Sequence, residues 1–419
     1  MKYINRSIED MVRKGEKTFK CVLVTGARQT GKSTLLKKLF PNKKYVAIDD
    51  PFIEEQAKQN ANMFMMLNPP PAIYDEIQRV PELFRYIKIK CDENDKKGLF
   101  CLSGSQPFEL MRNASESLAG RVDIIELAGL SLREINGDSF NEPFVPDMKY
   151  LEKRNKTVKP VNNIWEIIHR GSYPELQDKS VEWSAYYSSY VKTYLERDVR
   201  QLSAVQNLDD FRRFMVAAAA RTGQMVNYAS IADEIGKDLN TIKNWTSILE
   251  ASGIVYLLEP FSNSLLKRVI KTPKLYFRDT GLVSYLTRWL TPETLAMGAM
   301  NRHIFETFVI SEILKSYSNK GIDYKYCVSY YRGKDKKIIK EGGEERKIES
   351  EIDLIIEENG ILYPIEIKQN SQVPVDATKA FTVLDKVEDK KRGMGAVVCL
   401  CPQPGLLRDN VLQLPVWYI

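Results

Sequence analysis

The sequence predicts an α/β protein in three parts. A parallel, three-layer α/β domain is expected over residues 1–135, a helical region over 163–297, and a smaller α/β domain over 298–419. Three observations predict this. Short apolar runs alternate with helical patterns through the first part, around the stretch Gly26-Ala27-Arg28-Gln29-Thr30-Gly31-Lys32-Ser33-Thr34. From 163 to 260 the apolar spacing becomes helical. Near the end, two alternating runs flank Asn359-Gly360, a strong short-range hairpin signal.

The chain has 419 residues, enough for two or three domains. With 43% hydrophobic and 28% charged residues it reads as an ordinary globular protein. A net charge of +6 permits nucleic-acid contact without demanding it. Six cysteines form no C-x-x-C pair, and the histidines are only His169 and His303. That argues against a Cys/His zinc site and for reduced cysteines in an apolar core. No leader pattern opens the sequence and no apolar run approaches membrane-spanning length. The expected location is the cytoplasm, away from membranes.

Residues 7–19 read as an amphipathic helix and 20–25 as a buried strand. Gly26 to Thr34 then fits G-x-x-x-x-G-K-[ST], the phosphate-binding P-loop, with a helix over 33–40 behind it. The glycines let successive N–H groups turn inward, and the helix start adds partial positive charge. Lys32 would reach the β- and γ-phosphates of ATP, and the Ser33 hydroxyl would ligate Mg²⁺. A chance match in a surface loop is the plainer reading, and the strand and helix flanks argue against it.

Lys44 to Ile48 is a second strand, and 71–76 is a third that ends in Asp75-Glu76. An apolar strand ending this way downstream of a P-loop is a Walker B signature. Asp75 would hold Mg²⁺ through water, and Glu76 would orient and polarise the attacking water. The fourth strand, 98–103, runs into Gly104-Ser105-Gln106. Ser105 and Gln106 are the candidate sensors of the γ-phosphate or the lytic water. Arg121, just before a fifth strand, is either an arginine finger, in its own chain or a neighbour's, or a solvated surface arginine. Residues 136–162 carry Pro, Asn and Lys and read as a linker.

In the middle part, Trp183, Tyr186, Tyr187, Tyr190 and Tyr194 recur at helical spacing. Such a stripe reads as helix core rather than a base-stacking platform. Two short helices, a strand and a basic hairpin with Lys267, Arg268, Lys271 and Lys274 follow over about 223–278, a winged helix-turn-helix order. A DNA-reading version would place Asn240, Thr241, Lys243 and Asn244 in a major groove. The alternative is a winged helix used for packing or protein contact.

In the last part a helix is expected over 301–317 and a charged loop over 334–351. With Asn359-Gly360 as a two-residue turn, Asp353 faces Glu366 and Glu351 faces Lys368, so directly opposed side chains share a face. Ile352, Leu354, Ile365 and Ile367 take the other face. D…E-x-K on adjacent strands is the constellation of metal-dependent nucleases, in which carboxylates clamp a divalent ion. Glu306 would add a third carboxylate, and Lys368 would orient a hydroxide. The plainer reading is a cross-strand charge cluster.

Together these motifs resemble the prokaryotic AAA-superfamily ATPases that carry a C-terminal domain of unknown function. The resemblance rests on Tyr3-Ile4-Asn5-Arg6, the P-loop, Tyr74 to Gln78, Leu102 to Gln106 and Leu118 to Arg121. It continues through Gly171 to Pro174, Tyr194 to Asp198, Lys271 to Phe277, Asp279 to Leu282 and Pro364 to Lys368. It implies an AAA-type ATPase core, a winged-helix middle and a part similar to the PD-(D/E)xK nuclease fold. The expected activity is Mg²⁺-dependent ATP hydrolysis that drives a rearrangement of the C-terminal half. Two alternatives stand beside it. One is a DNA-binding or DNA-processing protein with an ATP-gated nuclease-like domain and a second divalent metal. The other is a nucleotide switch that contacts a protein through the winged helix. Expected partners are ATP and ADP, with double-stranded DNA, a second copy of the chain and another protein left open.

Overall fold

The computed structural model describes residues 3–105, 116–195, 207–262, 272–335 and 348–419. Gln106, Lys267, Arg268, Lys271, the residues 196–198, the side chain of Tyr194 and most of the charged run 334–351 lie outside them.

The first part is a parallel five-stranded sheet of β1 (Cys21–Thr25), β2 (Lys44–Ala47), β3 (Ala72–Asp75), β4 (Phe100–Ser103) and β5 (Val122–Glu126). The strand order is β2-β3-β4-β1-β5. Every residue of β1 is buried, as a parallel strand covered on both faces requires. Side chains alternate between the two faces. Cys21 and Leu23 join one core with Tyr74, Phe84 and Phe100. Val22 and Val24 join another with Leu35, Leu36 and Ile125. All connections place the strands' C-terminal ends on one rim, where ligands of such sheets bind.

The expected linker over 136–162 is packed structure instead. It holds a helix, Met148–Arg154, capped by Asp147, and it buries Phe140, Phe144 and Tyr150. Arg154 is buried beside Asp138 and donates to the backbone carbonyls of Trp417 and Tyr418. Its polar composition serves long-range hydrogen bonds rather than solvation.

Next come β6 (Gln224–Met225), the helices Tyr228–Ile235 and Leu239–Ala251, and the antiparallel pair β7 (Val255–Leu258) and β8 (Lys274–Phe277). The three strands form one small sheet in the order β6-β8-β7. Trp183, Tyr186, Tyr187 and Tyr190 are buried in the core, as their spacing implied.

The last part is a mixed sheet of β9 (Val328–Asp335), β10 (Ile348–Glu358), β11 (Ile361–Ile367), β12 (Lys391–Arg392), β13 (Gly395–Cys399), β14 (Gly405–Arg408) and β15 (Val411–Pro415). Asn359 and Gly360 have φ of 52° and 76°, so both central turn residues are left-handed, as a type I′ hairpin needs. Leu354 opposes Ile365 and Glu358 opposes Ile361, which is the register expected from the turn.

That register fails further out. The ladder stops at Leu354, and the N–H of Ile367 donates instead to Asp353 Oδ2 at 2.8 Å. A bulge lies between Ile352 and Ile355, so Ile352 and Leu354 pack into different cores rather than sharing a face. Glu351 opposes Arg332 of β9, not Lys368.

The helix Asn301–Ser318 binds the parts together. It is buried nearly all round, through Ile304, Phe305, Val309, Ile310 and Ile313. One hydrophobic core runs from Leu132 to Ile419 through it, so the middle and last parts share a single interior.

Candidate functional site

The P-loop leaves the C-terminal end of β1 and enters the helix at Lys32. Gly26 (φ +135°) and Gly31 (φ +92°) hold backbone that other residues resist. A Cβ on Gly26 would also lie 2.4 Å from the Leu127 carbonyl oxygen. The Lys32 ammonium is buried and donates to the carbonyls of Gly26 (3.1 Å) and Ala27 (2.8 Å). It is folded onto its own loop, where a phosphate oxygen would replace those carbonyls. Thr34 lies in the first turn of the helix, on its exposed side.

Asp75 is the hub. Its Oδ1 accepts from Ser33 Oγ at 2.9 Å and from Ser103 Oγ, and its Oδ2 accepts from Tyr45 OH at 2.5 Å. The parallel order β2-β3-β4 puts Asp75 and Ser103 on one rim, and Tyr45, on β2 level with Ile73, reaches Asp75 with its hydroxyl. Asp75 in turn holds Tyr45: burial, then the hydrogen bond to the carboxylate, raises the phenol above its ordinary value. Glu76 has left-handed backbone (φ 56°) and accepts from Ser105 Oγ at 3.0 Å and from Gln78 Nε2. Strain at a non-glycine residue here marks a position the surroundings over-determine. Ser33, Asp75, Glu76 and Ser105 are therefore brought together as expected. Tyr45, Ser103 and Gln78 complete the group; strand order could have pointed to Tyr45 and Ser103, and Gln78 follows Glu76 in the turn Ile77–Arg79.

The donor set fits Mg²⁺ and phosphate. It offers a hydroxyl and a carboxylate in hydrogen-bond contact beside a lysine. Two buried oxygens in and beside the loop, Thr25 Oγ1 and Gln29 Oε1, also have no partner.

Arg121 does not join them. Its carbonyl accepts from the N–H of Cys21, the first residue of β1, so it sits at the opposite rim from the P-loop. Its guanidinium pairs with Asp92 at 2.6 Å. A finger acting within the chain is ruled out by the length of β1, about 15 Å.

Arg6 does reach the loop. It donates to the carbonyls of Thr30 (2.8 Å) and Ala128 (2.7 Å) and pairs with Glu134 at 3.2 Å. From there contacts run into the C-terminal half. Leu132 N–H donates to Glu312 and Lys315 donates to the Leu130 carbonyl, both on the helix Asn301–Ser318. Arg278, at the exit of β8, pairs with Glu126 at the end of β5 and donates to Tyr324 at 2.8 Å.

The second candidate centre is acidic. Glu306, Asp353 and Glu366 are all buried. Burial, then the charge of Asp353, pushes the Glu306 carboxyl up to about 7 and that of Glu366 up to about 8. Lys368 pairs with Glu366, while Glu366 Oε2 is buried without a partner. The sequence assigned Lys274 to a basic hairpin. In the structure it is buried, with Nζ 3.3 Å from Glu306 and 2.5 Å from Glu351. Burial lowers its basicity, but Glu306, Asp353 and Glu351 outweigh that and hold it charged. Tyr276 adds a hydrogen bond to Glu306 at 2.6 Å. The cluster as arranged does not fit a divalent ion. Two ammonium groups occupy its carboxylates, and among the described residues no three acidic, histidine or cysteine groups converge on one point.

Comparison with known proteins agrees with the first centre. Residues 18–136 match the family model described as an AAA domain. That match covers the parallel five-stranded sheet and its P-loop. Residues 161–293 and 302–418 match two further models, each described as a domain of unknown function (DUF8612 and DUF4143). Two curated proteins, uncharacterized in Mycobacterium bovis and in Mycobacterium tuberculosis, are each 26% identical over 377 residues, 87% of this chain and 74% of theirs. Among solved structures, a Walker-type ATPase of Pyrococcus abyssi is 13% identical with a TM-score of 0.40 over 68% of this chain and 96% of its own. AMPPCP-bound DnaA from Aquifex aeolicus is 15% identical with a TM-score of 0.23 over 58% of this chain and 85% of its own. Both are loose likenesses. Among the described residues no helix is long and apolar enough to cross a membrane.

Proposed function

We propose that the chain binds Mg²⁺-ATP in the P-loop, hydrolyses it, and uses the nucleotide state to shift the C-terminal half. The observation that carries this reading is the shared hydrogen bonding of Ser33, Ser103 and Tyr45 on Asp75, next to Glu76. Ser33 and Asp75 would hold Mg²⁺, which neutralises charge on the β- and γ-phosphates. Lys32 would leave the carbonyls of Gly26 and Ala27 for a phosphate oxygen. Glu76, positioned by Ser105 and Gln78, would orient the attacking water. Coupling would run through Arg6, Lys315 and Arg278, each bonded to a segment beside the P-loop or β5. The test is phosphate release by the full chain. Wild type should turn over, and Glu76→Gln should bind ATP yet release little phosphate. Equal turnover in both would remove Glu76 from its role.

A second reading is duplex DNA contact. What supports it is the run of two helices, Tyr228–Ile235 and Leu239–Ala251, followed by the strands β7 and β8, within the expected winged helix-turn-helix of about 223–278. Asn240, Lys243 and Asn244 lie exposed on the helix Leu239–Ala251. Binding that weakens with salt, with a shallower slope in Lys243→Ala, would support it. No binding to duplex at low salt would leave protein contact as the use of this unit. The nuclease-like assignment of 298–419 belongs to the same reading, but no cleavage step follows from a cluster filled by lysines.

A further inference from the structure

Two stretches that carry the family resemblance, Gly171 to Pro174 and Asp279 to Leu282, meet beside the P-loop. Asp279 is buried and accepts hydrogen bonds from four neutral donors. Its Oδ2 accepts from the N–H of Ser172 at 2.6 Å and from Ser172 Oγ at 2.8 Å. Its Oδ1 accepts from Tyr187 OH at 2.6 Å and from the N–H of Leu282 at 2.7 Å. The loop held in this way reaches the ATPase sheet. The Ser172 carbonyl accepts from Leu130 N–H at 2.7 Å, in the segment after β5. Two residues on, Pro174 Cγ lies 3.9 Å from where a Cβ on Gly31 would stand. The loop has little freedom of its own. Gly171 has φ +86°, and a Cβ there would collide with Tyr187 OH and both Asp279 oxygens. Gln177, at the end of the turn Pro174–Gln177, donates back to the carbonyls of Gly171 and Tyr173, each at 3.2 Å.

We propose that Asp279 is a positioning residue for ATP binding: it clamps the loop Gly171 to Pro174 against Gly31, and so holds the P-loop in its phosphate-binding shape from the middle part of the chain. The proposal rests on the P-loop binding ATP and adds what keeps that site in shape. The P-loop glycines permit many backbone conformations, and the cradle of N–H groups suits a phosphate in few of them. Holding the loop before the nucleotide arrives removes an ordering cost from binding. Arg6 braces the P-loop at the Thr30 carbonyl, and Pro174 braces it at Gly31. Pro174 has a fixed φ, so few free torsions separate Ser172 from the contact. Hydrogen bonds to a carboxylate are the strong kind, which suits a clamp. Asparagine would keep the shape of Asp279, but its amide would turn one acceptor oxygen into a donor facing N–H and O–H groups. The preceding residue, Arg278, pairs with Glu126 at the end of β5. Arg278 and Asp279 therefore reach the ATPase sheet by two routes, one at its edge strand and one at its P-loop.

The experiment is equilibrium titration of the full chain with a fluorescent ATP analogue and Mg²⁺, together with hydrogen exchange of the P-loop amides in nucleotide-free protein. Asp279→Asn should weaken binding about tenfold with the number of sites per chain unchanged. A variant that had merely lost folded protein would show fewer sites at the wild-type affinity. Tyr187→Phe removes a donor to the other oxygen of Asp279 and leaves both Ser172 bonds in place. It should lower stability and stay within about twofold of the wild-type affinity. Pro174→Ala, which removes the ring beside Gly31, should also weaken binding, and adding it to Asp279→Asn should cost little more. It serves as well if Asp279→Asn does not fold. The amides of residues 29–33 should exchange faster in Asp279→Asn and Pro174→Ala than in Tyr187→Phe. Wild-type affinity, or wild-type exchange of the P-loop, in the folded Asp279 and Pro174 variants overturns the proposal. So does a loss of affinity in Tyr187→Phe equal to that in Asp279→Asn. Wild type that binds no ATP removes the reading on which the proposal rests, and the exchange comparison, which uses no nucleotide, then alone supports or overturns the clamp.

Discussion

Lys274 and Arg278 belong to one short stretch of chain and bind opposite parts of the molecule. Lys274 lies against Glu306 and Glu351 in the C-terminal part, and Arg278 lies against Glu126 at the end of β5. Under the proposed coupling, a displacement at Glu126 would reach Lys274 along β8, which is paired on either side.

Arg278→Met should therefore uncouple more than it destabilises. The pair with Glu126 is partly exposed, so its loss should cost only about 1 kcal/mol in denaturant unfolding. ATP binding should persist, while phosphate release should fall about tenfold, equivalent to about 1.4 kcal/mol in the barrier. Glu126→Gln should do the same, and the double variant should be no worse than either single one. Additive losses would show that the two residues act separately.

Arg6→Ala should be far more damaging. Arg6 and Glu134 have side chains 4% and 2% exposed, so removing one partner leaves a buried, uncompensated charge. A loss of about 3–5 kcal/mol is expected in urea unfolding. Three carbonyls of the P-loop and the loop after β5 would lose their donor as well. Nucleotide affinity should fall even under conditions where the variant is folded. Arg6→Ala with wild-type stability would mean that the pair contributes nothing net.

Lys32→Ala should abolish ATP binding by equilibrium fluorescence of a labelled nucleotide. No other lysine among the described residues donates into the loop carbonyls of Gly26 and Ala27. The protein should stay folded, since the helix Lys32–Leu39 is held by Leu35, Leu36 and Leu39 in the core. Undiminished affinity would end the P-loop assignment.

How much of this was legible in the sequence depended on range. The P-loop and the Asp75-Glu76 pair are encoded by spacing within a few residues, and the structure assembles them on one rim. Tyr45 and Ser103 were missed because only the order of strands brings them to Asp75. The turn at Asn359-Gly360 fixed the hairpin register where it is close, at Leu354 and Ile365. It lost Asp353 beyond that, because a bulge against β9 intervenes and no local signal announces it. The stretch 136–162 looked like a linker by composition. Arg154 and Tyr150 hydrogen-bond residues more than 260 positions away, which no local pattern records. Lys274 was read as a surface cation for the same reason: its partners, Glu306 and Glu351, come from a helix and a strand far along the chain.

The acidic cluster should also leave a mark on the pH dependence of stability. Burial, and after it the charge of Asp353, pushes the Glu366 carboxyl from 4.5 up to about 8 despite the neighbouring Lys368. Glu306 is pushed to about 7 by burial and then by Asp353. The folded chain thus holds protons that the unfolded chain has released. Between the unfolded value near 4.5 and the folded values near 7 and 8, the native state binds more protons, so stability falls as pH rises. Each group contributes a slope of up to about 1.4 kcal/mol per pH unit within its window. His169 and His303 work the other way near neutrality. Burial lowers both, so the unfolded state binds their protons more readily and stability rises with pH there. The contribution of Glu366 is isolated by difference. Glu366→Gln should match wild type near pH 4, where the carboxyl is neutral in the native state and mostly neutral in the unfolded one, and exceed it in melting temperature at pH 8. The gap should open steadily between them. A constant offset across that range would mean that Glu366 is ionised throughout, held by Lys368 alone.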